Sequence, residues 1–108
     1  MNRKFTVDLD GRTYDVILEQ NRYIENNNLY LGLFCPTEGP FASLTVNIDR
    51  LPAGMAAVDT NNNPWAEEFI TGNGLGERTG RVLKSGFCIY PVYEFNMELI
   101  DELAPMPY

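Results

Sequence analysis

Apolar and polar residues alternate along much of this chain. In "FTVDLDGRTYDVIL", Phe5, Val7 and Leu9 take every second position, the period of a half-buried strand. Asp10-Gly11 follows, a turn signal, because a type I′ turn needs positive φ at both central positions. The turn predicts a hairpin that pairs Leu9 with Arg12, Val7 with Tyr14 and Phe5 with Val16. That register puts Phe5, Val7, Tyr14, Val16 and Leu18 on one face, so turn chemistry and alternation agree. "QNRYIENNN" is polar and predicts a connection. "LYLGLFC" alternates again, with Leu29, Leu31, Leu33 and Cys35 on one face. "PTEGP" predicts a loop, and "FASLTVNI" alternates Leu44, Val46 and Ile48 against Ser43, Thr45 and Asn47. These two runs predict a second hairpin, followed by a turn at "DRLPAG" and a short strand at "MAAVDT".

The period then changes. In "NNNPWAEEFI", Asn63 predicts an N-cap and Pro64 the first helical position, where a missing N–H costs nothing. Glu67 and Glu68 suit the positive end of the helix dipole, and Trp65 and Phe69 share a face. Gly72 or Gly74 predicts a left-handed cap. "RVLKSGFCIYPVYEF" returns to β-rich composition, with Gly86 predicting a bulge and Pro91 an edge or strand end. "NMELIDELA" predicts a short helix capped by Asn96, with Phe95 stapled to Ile100 and Pro105 and Pro107 stopping it. Together these elements predict a single α+β domain over 1–108, a mostly antiparallel sheet of about five strands with two short helices.

"TGNGLGERTGR" holds four glycines in eleven positions and invites comparison with phosphate-binding loops. A dinucleotide fingerprint begun at Gly72 meets Glu77 at its sixth position, and one begun at Gly74 meets Thr79. A P-loop needs Gly-Lys-Ser/Thr, whereas Gly80 precedes Arg81 and Val82. Both motifs open a helix, whereas these glycines follow one. They predict a helix-to-strand connection over Gly72–Gly80, with positive φ at one of Gly72, Asn73 and Gly74.

Composition narrows the chemistry. Of 108 residues 44% are apolar and 21% charged, an ordinary globular balance. No apolar run approaches the roughly 20 residues that span a bilayer, and no signal-peptide core follows the first charges, so a cytoplasmic protein is expected. The net charge of −7 argues against direct nucleic-acid binding and suits solubility or docking on a basic surface. Histidine is absent, which removes His-based triads and His-containing zinc sites. Cys35 and Cys88 lie far apart and predict reduced thiols, with a disulfide or a reactive thiol as the alternatives. "DTNNNP" imitates the start of a calcium loop, but Pro64 and Ile70 stand where Gly and Glu are required. No metal and no cofactor is predicted. A carboxylate pair could do acid–base work, although Asp8, Asp15, Glu19, Glu67 and Glu68 have no distinguishing context. In "SGFCIYPVYEF", Phe87, Tyr90, Tyr93 and Phe95 cannot all point one way on a strand, so core and surface must share them.

"LTVNI", "DTNNNPWAEEFI", "GNGLGERTGR" and "SGFCIYPVYEFNMELIDEL", in that order over Leu29 to Leu103, resemble an uncharacterised family of short bacterial proteins. The family is a domain of unknown function, typical of Firmicutes and gut bacteria and often carried on conjugative elements or phage. The resemblance implies an accessory role on a mobile element and transfers no catalytic residue. Three functions are then open. The first is a non-catalytic interaction protein that binds a host or element-encoded partner, in counter-defence or transfer. The second is a small anionic-ligand binder or sponge using Arg78, Arg81, Trp65 and Tyr90 around the glycine tract. The third is an enzyme relying on carboxylates or a lone cysteine, for which no activating base is visible.

Overall fold

The computed structural model describes residues 3–107. Strands β1 (Lys4–Leu9) and β2 (Arg12–Arg22) form the predicted hairpin, in the predicted register. Asp10 and Gly11 sit at φ 51 and 80, as a type I′ turn requires. Phe5, Val7, Val16 and Leu18 are buried and Tyr14 is half-buried. β2 continues through Gln20, Asn21 and Arg22, where polar composition predicted a connection. Tertiary bonds explain the correction. Buried Gln20 donates Nε2 to Asp101 Oδ1 at 3.0 Å and to the Ala104 carbonyl at 2.7 Å, so a polar side chain holds an inward position.

β3 (Leu29–Cys35) and β4 (Gly39–Ser43) complete an antiparallel sheet in the order β1-β2-β3-β4. Gly39 and Pro40, expected in a loop, already pair with β3. Leu29, Leu31, Leu33 and Cys35 are buried as their alternation predicts. Gly32 is required on the opposite face because the Tyr30 side chain folds over it, where a Cβ would meet the ring and hydroxyl.

Leu44 is where the chain changes sheets. Its N–H donates to the Leu31 carbonyl at 2.9 Å, while its carbonyl accepts from Asp59 N at 2.8 Å. β5 (Thr45–Val46) therefore belongs to a second antiparallel sheet, which continues with β6 (Met55–Val58), β7 (Gly76–Ser85) and β8 (Cys88–Phe95) in the order β5-β6-β8-β7. Thr45, expected on the polar face, is buried. Its Oγ1 shares a hydrogen bond with the Tyr23 hydroxyl at 3.0 Å and accepts from Leu31 N at 3.3 Å. The α+β class with two short helices stands, with eight strands divided between two sheets of four.

Helix α1 covers Ala66–Gly72. It starts later than predicted, with Trp65 at the N-cap and no side-chain cap. Asn63 does not cap it, because its amide donates to the Ser43 carbonyl at 2.7 Å and ties the turn to β4. Pro64 consequently lies outside the helix. The C-terminus meets expectation. Gly74 has φ 68, Gly74 N donates to the Thr71 carbonyl and Leu75 N to the Ile70 carbonyl, the bond pair of a Schellman cap. The glycine connection is shorter than Gly72–Gly80, since β7 begins at Gly76. A Cβ there would sit 2.9 Å from the Glu94 carbonyl oxygen and 3.0 Å from Phe95 Cδ1, so glycine lets β7 approach β8 closely. Helix α2 (Met97–Leu103) is capped by Asn96, whose side chain accepts from Leu99 N at 3.2 Å. Phe95 and Ile100 are buried in the same core.

Two further positions differ from expectation. Gly86, predicted as a bulge, has φ 61 and opens the two-residue turn between Ser85 and Cys88. The bulge instead lies between Arg78 and Val82, around Gly80 at φ 90. Pro91 lies in a central strand, but past Ala57–Val92, the last pair between β6 and β8, so β8 is one-sided there. The main core gathers the inner face of the first sheet, both helices, and Ala56, Val58, Tyr93 and Phe95 from one face of the second. A smaller cluster of Ala57, Leu83, Tyr90 and Val92 fills the other face. No helix of the described residues is long and apolar enough to cross a membrane.

Candidate functional site

The β7–β8 hairpin grows out of the core and then leaves it. At its root Arg78 meets Glu67 of α1 bidentately, Nε to Oε1 at 2.6 Å and Nη2 to Oε2 at 2.9 Å. The Tyr93 hydroxyl donates to the same Oε1 at 2.7 Å. Arg78 holds the Glu67 carboxyl below its ordinary range, and Glu67 in turn raises the Arg78 guanidinium further. Burial, then the Glu67 carboxylate, push the Tyr93 phenol up to about 12. The neutral phenol is favoured in the fold, so this contribution is complete below the ordinary value of 10.0 and is lost as pH rises towards about 12. Unfolding followed across that alkaline window should therefore show falling stability, and Tyr93→Phe should flatten the fall. A slope identical in the variant would show that Tyr93 is not linked to folding.

Past this root, no acidic residue occurs between Arg78 and Tyr93. Cross-strand pairing sets the faces. Leu83 opposite Tyr90 and Ser85 opposite Cys88 point to the smaller cluster. Val82 opposite Pro91 and Lys84 opposite Ile89 take the other face, the one that Tyr93 and Phe95 continue into the main core. Beyond the reach of that core the same face is uncovered. Val82 is 47% exposed, Ile89 56% and Phe87, at the turn, fully. Arg81 and Lys84 stand exposed beside them. Thr79 ties down the bulge, donating Oγ1 to the Val92 carbonyl at 2.9 Å and accepting from Arg81 N at 3.1 Å.

The four residues singled out around the glycine tract are distributed as follows. Arg78 is occupied by Glu67, and Arg81 is exposed on the bulged part of β7. Tyr90 is buried in the smaller cluster. Trp65 packs on the main core, between Phe41 and Phe69 with ring centroids at 6.1 and 6.0 Å. The two aromatic residues thus belong to different clusters. The cleft beside Gly74 and Gly76, about 400 Å³, is lined by Glu77 and Glu94, which face each other directly across the strands. An anion entering it would meet two carboxylates. Phe87 is one of the four aromatics that the alternation divides between core and surface, and it is the one at the surface. Nothing in the sequence pattern marked Val82 and Ile89, although Ser85-Gly86-Phe87-Cys88 carries the signature of a glycine-first hairpin turn. Cys35 and Cys88 are free thiols, the first buried and the second half-buried.

Two packed four-stranded antiparallel sheets, two short helices and an overhanging hairpin define a small α+β protein. The chain belongs to the family described as a domain of unknown function, DUF4313, whose model matches residues 17–106. That span starts in β2 and runs past α2, wider than the resemblance read from the motifs. Neither a curated protein nor a solved structure matches the chain.

Proposed function

We propose that this chain is a non-catalytic protein-interaction module whose contact surface is the outer half of the β7–β8 hairpin. One observation carries the reading: Val82, Phe87 and Ile89 stand exposed together with Arg81 and Lys84 on the outer half of the hairpin, which carries no acidic residue between Arg78 and Tyr93. Of the fifteen acidic residues on the rest of the chain, only Asp59 is buried and Glu67 half-buried. Clustered apolar side chains rimmed by charge are the usual mark of an interface. The matching partner is a protein surface with an apolar recess for Phe87 and carboxylates around it. The acidic body repels nucleic acid and steers such a partner towards the basic hairpin. The resemblance to proteins carried on mobile elements supplies a setting, an accessory factor acting on a host or element-encoded protein in counter-defence or transfer.

Affinity capture from producing cells tests this with three forms of the chain. These are the wild type, a Phe87→Ser/Ile89→Thr double variant, and Ile24→Ser at an exposed apolar position on a different turn. The hairpin substitutions remove only exposed side chains, so stability should stay within about 0.5 kcal/mol. The expected result is a partner retained by the wild type and the Ile24 variant and lost by the hairpin variant. A partner held equally by all three, or none specific to the chain, overturns the proposal.

A further inference from the structure

Away from the hairpin, a recess of about 190 Å³ opens between the β2–β3 connection and the loop before β6. Arg22 and Arg50 both line it, together with Asn26, Asn27, Asn28 and Gly54, and no carboxylate does. Two cations sharing a recess repel each other unless something neutralises them. In a chain of net charge −7 a carboxylate partner would be easy to find, yet the ion pair found among the described residues is Arg78 with Glu67.

Arg22 is held by neutral groups instead. Its Nη1 donates to Gln20 Oε1 at 3.0 Å and to the Asn21 carbonyl at 2.9 Å, and contacts Met106 Sδ at 3.6 Å. Asp101, the nearest carboxylate in this network, is reached only through Gln20. The guanidinium is thereby oriented with its charge intact, and none of these bonds uses Nε or Nη2. The other wall is equally fixed. Buried Asn28 accepts from Leu51 N at 3.0 Å and donates to the Asp49 carbonyl at 2.7 Å, pinning the residues on either side of Arg50. No hydrogen bond among the described residues engages the Arg50 guanidinium or the Asn27 side chain.

We propose that this recess binds a small phosphate dianion, either inorganic phosphate or the phosphoryl end of a small phosphomonoester. Planar guanidinium groups match phosphate oxygens bidentately, and the Asn27 side-chain amide adds a neutral donor. Asn26 instead donates to Asn47 Oδ1, and Asn28 to Asn47 Oδ1 and the Asp49 carbonyl, so these two shape the wall. The volume selects for size. It holds roughly six waters at about 30 Å³ each, enough for a phosphate group and a short stub, and falls below the ~300 Å³ where drug-sized sites begin. The site is separate from the hairpin and stands whether or not the hairpin binds a protein.

Amide chemical shifts of the full chain, titrated with inorganic phosphate and separately with glycerol phosphate at constant ionic strength, provide the test. Saturable shifts should localise to residues 26–29 and 50–54, with sodium chloride producing none. Tighter binding of glycerol phosphate identifies a phosphomonoester site, and equal or weaker binding a site for free phosphate. Arg50→Gln, at an exposed position, should keep the fold and weaken binding roughly tenfold or more. Linear, non-saturating shifts, shifts centred on Arg81 and Lys84, or an Arg50→Gln variant that binds like the wild type would each overturn the site.

Discussion

Leu44→Ala should cost about 2–5 kcal/mol of folding stability, the range for truncating a fully buried leucine. Leu44 is 0% exposed, and its backbone is bonded to β3 on one side and to Asp59 after β6 on the other. Its side chain is therefore packed where the two sheets meet, and a cavity there is hard for either sheet to close. Denaturant unfolding should show a lower midpoint with an unchanged slope. Leu44→Met, which conserves volume, should lose less than about 1.5 kcal/mol. An alanine variant as stable as the wild type would mean that the sheets do not depend on each other through this residue.

The second large effect is expected at Asn28. Replacement by Ala leaves Leu51 N–H and the Asp49 carbonyl without their partner, and removes a bond to Asn47 Oδ1 at 2.9 Å. Each unsatisfied buried group costs about 1–3 kcal/mol, so the loss should reach roughly 2–4 kcal/mol if water reaches some of them. The loop carrying Arg50 should also become mobile, which amide exchange at residues 49–54 would report. Asn28→Asp keeps the acceptor for Leu51 N but sets a buried carboxylate against two acceptors, the Asp49 carbonyl and Asn47 Oδ1, and should destabilise at least as much as the alanine variant. Unchanged exchange in the alanine variant would show that the loop is held by other contacts.

Much of this fold is legible because its signals are local. Asp10-Gly11 specifies a turn within four residues, and the alternation on either side agrees with it. Asn96 caps α2 through a bond only three residues long, and Gly74 ends α1 because the cap needs a left-handed residue. What escaped depends on distant partners. Gln20 resembles a loop residue until Asp101 and Ala104, 81 and 84 positions away, accept its amide. Asn63 suits an N-cap, but Ser43 takes its side chain. Leu44 continues an alternating run, and nothing nearby records that its two neighbours belong to different sheets. The candidate surface was hidden for a related reason. Apolar character suits Val82 and Ile89 to a core and leaves Phe87 undecided between core and surface, and only the length of the hairpin relative to the core leaves all three in solvent.

Backbone hydrogen exchange of the chain, free and bound to a partner recovered by the wild type, tests the interaction surface most directly. Slowed exchange should be confined to residues 79–91, with the β2–β3 connection and the first sheet unchanged. Protection on the first sheet, with the hairpin exchanging as it does in the free protein, would contradict the assignment.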